Sequence, residues 1–324
     1  MCSMMYSQLG KILEGLQEEF FSSKKQVDFA KAFERISARY RAESGFFLQT
    51  EEERKAYLFT RLPGTFSAVS KVLEELVARC PNLPIQSFLD VGAGPGTGMW
   101  AALELFNDLE KCTLLEKDRL FMELGKELVK RSSSSCIQKA VWKSCDIEKT
   151  FEVDSHDLVL LSYSIGELKE SSWAPLLQIL WKATNKALVI VEPGTPSGYA
   201  KLMKIREILK NLGGHIWAPC PHALSCPLLK GDWCHFSTRV PRSSIHRQLK
   251  SADLGYEDEK FSYLIFGKEA ISPIQARVIR RPLKHSGHVE LITCQEEGIK
   301  KEIYSKKDKE TYKQRKKLDW GDSF

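Results

Sequence analysis

The chain has no uninterrupted apolar stretch near the roughly 18 residues that would span a bilayer as a helix, so a transmembrane helix is excluded and no membrane partner is expected. Its first residues, MCSMMYSQLGKILEGLQEEFF, lack the basic flank and apolar block of a secretory signal. Glu14, Glu18 and Glu19 argue against a transit peptide. An intracellular protein is expected, and in a reducing compartment nine cysteines, an odd number, are thiols or metal ligands rather than disulfides. An excess of one sign of charge is also small, with 48 basic against 42 acidic residues. The formal net charge is +6, and the segment from Lys300 to Phe324 holds nine basic against five acidic residues, hence +4 of that total. No internal repeat is present.

What is there suffices for a large core: 324 residues, 43% hydrophobic and 28% charged. Residues 1–80 read as a helical region, with Phe29, Phe33, Ile36 and Tyr40 at helical spacing, a break at Pro63 and Gly64, and a helix from Ser67 to Ala78. From Ile85 short apolar runs alternate with amphipathic segments. Ile85–Val91, Cys112–Leu115, Ala140–Trp142, Leu158–Leu161 and Ala187–Val191 are expected strands. Alternation of this kind predicts a parallel sheet covered by helices on both faces, because each parallel return needs a crossover. The expected organisation is therefore an α/β nucleotide-binding core at 81–211, a Cys-rich module at 212–260, closing strands at 261–299 and a basic tail at 300–324.

The stretch FLDVGAGPGTG runs from an apolar strand into a helix near Thr97, where a doubly wound sheet binds a nucleotide-like ligand. Gly92, Gly94 and Gly96 allow close backbone approach. They do not fit the dinucleotide fingerprint G-x-G-x-x-G, because Thr97 or Met99 falls in its last position. Asp90 would repel a pyrophosphate but attract the ammonium and sulfonium of S-adenosylmethionine. Glu116, at the next strand end, is placed for the ribose hydroxyls and Asp146, after the third, for the adenine amine. The competing reading makes these a tight turn and two surface acids.

Four cysteines stand apart in APCPHALSCPLLKGDWCHF and beyond: Cys220, Cys226 and Cys234 at C-x5-C-x7-C spacing, then Cys294. Four thiolates can hold a tetrahedral zinc or an iron–sulfur cluster, either of which can replace a core in an irregular segment. His222 and His235 are rival ligands for a Cys3His zinc site. Alternatively these cysteines are buried thiols.

Taken in order, YLFTRLPGTFSAV, FLDVGAGPGTG, YSIGEL, VEPGTPSGY, CPH with its spaced cysteines, GHVELITC and the closing WGDSF resemble the methyltransferase-like family of the mitochondrial small ribosomal subunit and its bacterial relatives. The resemblance covers most of the chain. It implies a Rossmann-like class I methyltransferase sheet, S-adenosylmethionine bound at Gly92, Gly94, Gly96 and Glu116, and a [4Fe-4S] cluster on Cys220, Cys226, Cys234 and Cys294, with zinc as the alternative. It also implies small-subunit ribosomal RNA and precursor particles as partners, in assembly of the subunit or methylation of its RNA. The expected compartment is the bacterial cytoplasm, with the mitochondrial matrix as alternative, and the free protein is expected to be monomeric.

A catalytic group is harder to find. The place after the fourth strand where a base-amine methylase carries Asn or Asp with Pro-Pro-Tyr reads SYSIGEL, leaving Ser162, Tyr163 and Glu167 as candidate pocket residues. A strand end and helix cap is the competing reading of that segment. A nucleophilic cysteine of the cytosine-methylase type is also disfavoured, since a metal-bound thiolate is a poor nucleophile.

Overall fold

The computed structural model describes residues 7–21, 31–32, 34–36, 38, 50–242, 247 and 253–324. Phe29, Phe33 and Tyr40 lie outside them, while Ile36 is buried. Ahead of the sheet, the described residues include helices α1 (Gln8–Phe21), α2 (Glu51–Thr60) and α3 (Leu62–Arg79), with helical residues also at 31–32, 34–36 and 38. The helical run does break in the segment read as a break, at Arg61 between α2 and α3, but the Pro63–Gly64 pair is not itself the break. It opens α3, because proline in the first turn gives up an N–H that would have no intrahelical partner anyway.

The alternating segment then forms β1 (Ser87–Val91), α4 (Thr97–Leu103), β2 (Lys111–Glu116), α5 (Arg119–Lys130), α6 (Ser135–Gln138), β3 (Val141–Ser144) and β4 (His156–Ser162). It continues through α7 (Trp173–Ala183), β5 (Thr184–Pro193), α8 (Pro196–Asn211), β6 (His215–Ala218), β7 (Phe236–Pro241) and β8 (Tyr256–Gly267). Side-chain caps set several starts. Asp118 accepts from Leu120 and Phe121 N–H at α5, and Thr195 from Gly198 N–H at α8.

The strands make one sheet in the order β3-β2-β1-β4-β5-β8-β6, parallel from β3 to β5 and antiparallel at β8. The twelve-residue β8 is long enough for β6 to pair its C-terminal end and β7 its N-terminal half. This is the Rossmann-like sheet that the resemblance implies. The chain order reverses between β1 and β4, which opens a crevice at the carboxyl ends of these strands. One core cluster joins α1 to α4 to one sheet face, with Phe66, Phe88 and Trp100 fully buried. A second packs α7 and α8 on the other face through Leu177, Leu180, Ile205 and Leu209. Among the described residues, no helix is long and apolar enough to cross a membrane.

The segment read as an irregular Cys-rich module contributes β6, β7 and the start of β8 to this sheet, and the cysteines among its described residues sit in the irregular stretch 219–235 between β6 and β7. The basic end is not a solvated tail. A second sheet contains β9 (Arg277–Val278), β10 (Leu283–Lys284), β11 (His288–Gln295) and β12 (Gly298–Ser305), followed by α9 (Lys309–Arg315). Tyr304, Tyr312, Leu318 and Phe324 pack with Val278, Val289 and Leu291. Phe324 O accepts from Gln275 and Ala276 N–H at 2.8 and 3.0 Å. Charge counting alone misses these apolar residues spaced among the lysines.

Candidate functional site

The glycine loop follows the buried end of β1, and its glycines do different work. A Cβ on Gly92 would lie 2.3 Å from Ser164 Oγ, and one on Gly96 about as close as 3.1 Å to Leu114. Gly94 (φ +53°) has nothing within 4 Å of that position and faces open space. Gly98, just inside α4, is held tight by Leu160 and Asp90. Gly94 is therefore the glycine over which a ligand can lie, while the others let the loop and helix seat against the sheet.

Asp90 is 1% exposed and points under the start of α4, where Met99 N–H donates to its Oδ2 at 3.2 Å; its Oδ1 is buried with no hydrogen-bond partner. Burial pushes this carboxyl up to about 8 against the pull of the Met99 N–H, with Glu116 adding to the rise. Glu116, at the end of β2, accepts from Gly94 N–H at 2.7 Å and Asp118 N–H at 2.8 Å. Burial raises it too. It holds the loop at Gly94, is also reached by the Lys117 N–H, and keeps a lone pair for a ligand. Asp118 in turn meets Arg54 of α2 at 2.9 Å, tying the N-terminal helices to this edge.

Asp146 lies half-buried after β3, in contact with Lys149 at 3.5 Å and accepting from Glu148 N–H at 3.3 Å. Ser162 ends β4, and its carbonyl accepts from Ser164 Oγ at 3.0 Å. Ser164 was not singled out from sequence, although its hydroxyl reaches Gly92 O at 3.3 Å and fills the space a Cβ would need. Tyr163 has φ +55°, the only positive φ of a non-glycine residue among those described. Such strain clusters at functional sites. Its hydroxyl donates to Glu259 at 3.3 Å.

Two further acids complete the row. Glu167 is pushed up to about 7, first by burial and then by Glu116. Glu192, at the end of β5 and 1% exposed, is pushed up to about 8 by burial, countered by Lys201 and by an Ile165 N–H that donates at 3.2 Å. Glu192 went unnoticed in VEPGTPSGY because its burial depends on a fold that the segment does not display. Asp90, Glu116, Glu167 and Glu192 thus line the carboxyl edge of the sheet, an environment suited to a cation and hostile to a phosphate.

The second feature is a cavity lined by all four expected cysteines, together with Tyr199, Pro219 and Arg277. Cys220 follows β6, Cys234 precedes β7, and Cys294 lies on β11 opposite Arg277. Tyr199 donates to Cys226 Sγ at 3.1 Å. His222 lies near Cys294, Nε2 to Sγ 3.9 Å. His235 is instead packed between Trp233 and Trp320, at ring distances of 5.2 and 5.0 Å. Burial first, and then the neighbouring thiols, push Cys294 up to about 12 and raise Cys234. Four bare thiolates cannot share this space unless a metal core replaces their protons.

Two fully buried guanidiniums flank the cavity. Arg206 donates to the carbonyls of His222 (3.1 Å) and Leu224 (2.7 Å) and pairs with Glu207. Arg277 donates to Pro219 O and Gly321 O and pairs with Glu75 at 2.6 Å. They hold the loop ends and supply positive charge.

A family model described as mitochondrial small ribosomal subunit Rsm22 matches residues 51–324. The chain belongs to the Rsm22 family. This Rsm22-family chain is 30% identical over 267 residues to the human mitochondrial ribosome assembly protein METTL17, covering 77% of the chain and 57% of that protein. It is 25% identical to Rsm22-cox11 tandem protein 2, mitochondrial, of Schizosaccharomyces pombe, covering 89% of the chain and 45% of that protein. The chain thus spans about half the length of the curated relatives it matches. A solved structure of a putative RNA methyltransferase from Pyrococcus horikoshii is similar at 14% identity and a TM-score of 0.41, over 63% of this chain and 85% of that one.

Proposed function

We propose that this Rsm22-family chain binds S-adenosylmethionine at the glycine loop and acts in small ribosomal subunit assembly, with a [4Fe-4S] cluster in its four-cysteine cavity. The carrying observation is that Gly94 faces open space beside Glu116 at the sheet's switch point, within a row of buried acids. The sulfonium and ammonium suit those acids, Glu116 offers its remaining lone pair to a ribose hydroxyl, and Asp146 is placed for the adenine amine. Ser162 and Tyr163 border the methyl-donor end. Calorimetry with S-adenosylmethionine tests the site. Undiminished affinity in Gly94→Asp, which puts a side chain and a negative charge into that space, would end this reading.

The cluster fits the thiol set better than zinc does. Zinc–sulfur bonds of about 2.3 Å place tetrahedral thiolates roughly 3.8 Å apart. Among the described residues, no three of these sulfurs lie within 4.8 Å of one another. An iron–sulfur core with four thiolates is an anion overall, which Arg206 and Arg277 offset. When bound, the cluster supplies cross-links that pin residues 219–235 against β11. Anaerobic preparations should be brown and hold about four irons per chain; stoichiometric zinc without visible absorption would reject the cluster.

Small-subunit ribosomal RNA in precursor particles is the proposed partner, and the mitochondrial relatives favour the matrix over a bacterial cytoplasm. Methyl transfer to that RNA is a second reading, favoured by the strained Tyr163 beside the glycine loop. Tritiated methyl incorporated into precursor RNA would establish it; cofactor binding without transfer would leave the assembly role alone.

A further inference from the structure

We infer that His285, His288 and Glu290 form a binding site for a divalent transition ion of the zinc class, separate from the cysteine cavity. The three lie at the turn of the β10–β11 hairpin, where His285 N–H donates to His288 O at 2.9 Å and brings both imidazoles to one side. The rings stack with centroids 4.4 Å apart and planes 18° from parallel. Both Nε2 atoms face the same oxygen, Glu290 Oε1, at 3.7 and 3.5 Å. One ligand atom from each residue lies within 4.8 Å of the other two, and no other such triplet occurs among the described residues.

These spacings fit an ion better than they fit hydrogen bonds. Nitrogen–oxygen contacts of 3.5 and 3.7 Å are too long for good hydrogen bonds. The edge of a tetrahedron whose metal–nitrogen and metal–oxygen bonds are about 2.0–2.1 Å is about 3.3 Å, so small side-chain rotations close the set around one ion. The carboxylate is prepared for this. Lys301, on the neighbouring β12, holds Glu290 Oε2 at 2.7 Å and is the main reason the acid stays below its usual range, leaving Oε1 free to face the rings. Imidazole and carboxylate donors together suit zinc and its neighbours rather than calcium or magnesium. Three protein ligands leave the remaining positions to water. Six residues of extended strand separate His288 from Cys294, about 20 Å, so the two sites do not share ligands. An ion here would clamp both strands of the hairpin.

The test uses the full chain, reconstituted anaerobically with iron and sulfide, then given zinc and desalted. One zinc per chain is expected beyond the cysteine-bound metal, with only nitrogen and oxygen scatterers at its absorption edge. His285→Ala combined with His288→Ala should lose that zinc while iron content and melting temperature hold, because both histidines are partly exposed. Glu290→Gln should weaken zinc about tenfold or more, at least the loss typical of an outer-shell partner. Sulfur scatterers around the extra zinc, or stoichiometric zinc retained by the double variant, would overturn the site. Were the cysteines to carry zinc instead of a cluster, total zinc would fall from two to one in the double variant, so the two readings fail separately.

Discussion

At the scale of single residues, the glycine loop separates two kinds of glycine that the motif presents alike. In Gly94→Ala the methyl enters open space, so its stability cost is the left-handed backbone alone, about 1–2 kcal/mol. Gly92→Ala adds a collision with Ser164 Oγ at 2.3 Å and should unfold at clearly lower denaturant. Adding Ser164→Gly should return part of that loss, which chemical denaturation of the single and double variants would measure. If Gly92→Ala proves no worse than Gly94→Ala, Ser164 does not fill that space. The buried acids give a second, pH-dependent prediction. Asp90 and Glu192 rise from 3.8 and 4.5 to about 8, and Glu167 from 4.5 to about 7. Between about pH 4 and 8 these three acids therefore hold more protons in the folded chain than in the unfolded one, and their contribution to stability should fall as pH rises across that window. A cation bound beside these acids favours their ionised forms. Affinity for S-adenosylmethionine should thus grow from pH 6 to 8.5, and by more than affinity for its demethylated product, which lacks the sulfonium. A ratio of the two that stays constant with pH would remove the acids from cofactor recognition.

At the scale of elements, the five parallel strands were legible because each is a short apolar run bounded by turn residues, and β1 with its glycines stands out for the same reason. The ends of strands were less so: β5 begins at Thr184 and β8 at Tyr256, where polar residues extend the pairing beyond the apolar core. Asp90, Glu116 and Cys294 could be named from position and type. Ser164 and Glu192 could not, since a serine over a glycine and an acid buried under a loop arise only once β4 and β5 lie side by side. The second sheet was half visible, as HVELITC, but β12 was hidden because its central Lys300, Lys301 and Glu302 break the apolar run between Ile299 and Ile303 with the packed Tyr304. Because β12 pairs with β11 along its whole length, from His288↔Ser305 to Gln295↔Gly298, removing the chain from Lys300 onward takes a partner from the strand that carries Cys294. Such a truncation should lower both melting temperature and iron content. Unchanged iron would make the cysteine cavity independent of this sheet.

At the scale of the whole molecule, opposite charges are separated: acids gather at the carboxyl edge of the main sheet, and lysines gather on the second sheet and its helix. Lys300 and Lys301 are engaged by Glu297 and Glu290, whereas Lys306, Lys307, Lys309, Lys313, Lys316 and Lys317 stand exposed around α9. Arg315 lies 3.4 Å over the Phe324 ring and helps hold the helix down rather than facing outward. A folded, positively charged surface is a better phosphate reader than a loose tail, because its charges need not be ordered on binding. If several of these lysines neutralise phosphates of small-subunit RNA, affinity should fall with salt at a log–log slope of about −0.7 to −0.9 per contact. Replacing Lys306, Lys307, Lys313 and Lys317 by alanine removes charge without disturbing β12 or the buried Tyr312, so the melting temperature and the affinity for S-adenosylmethionine should hold while the slope flattens. Filter binding of precursor RNA across a salt series would read the change. A variant that kept the full slope and still joined small-subunit precursors would move the RNA surface elsewhere on the molecule.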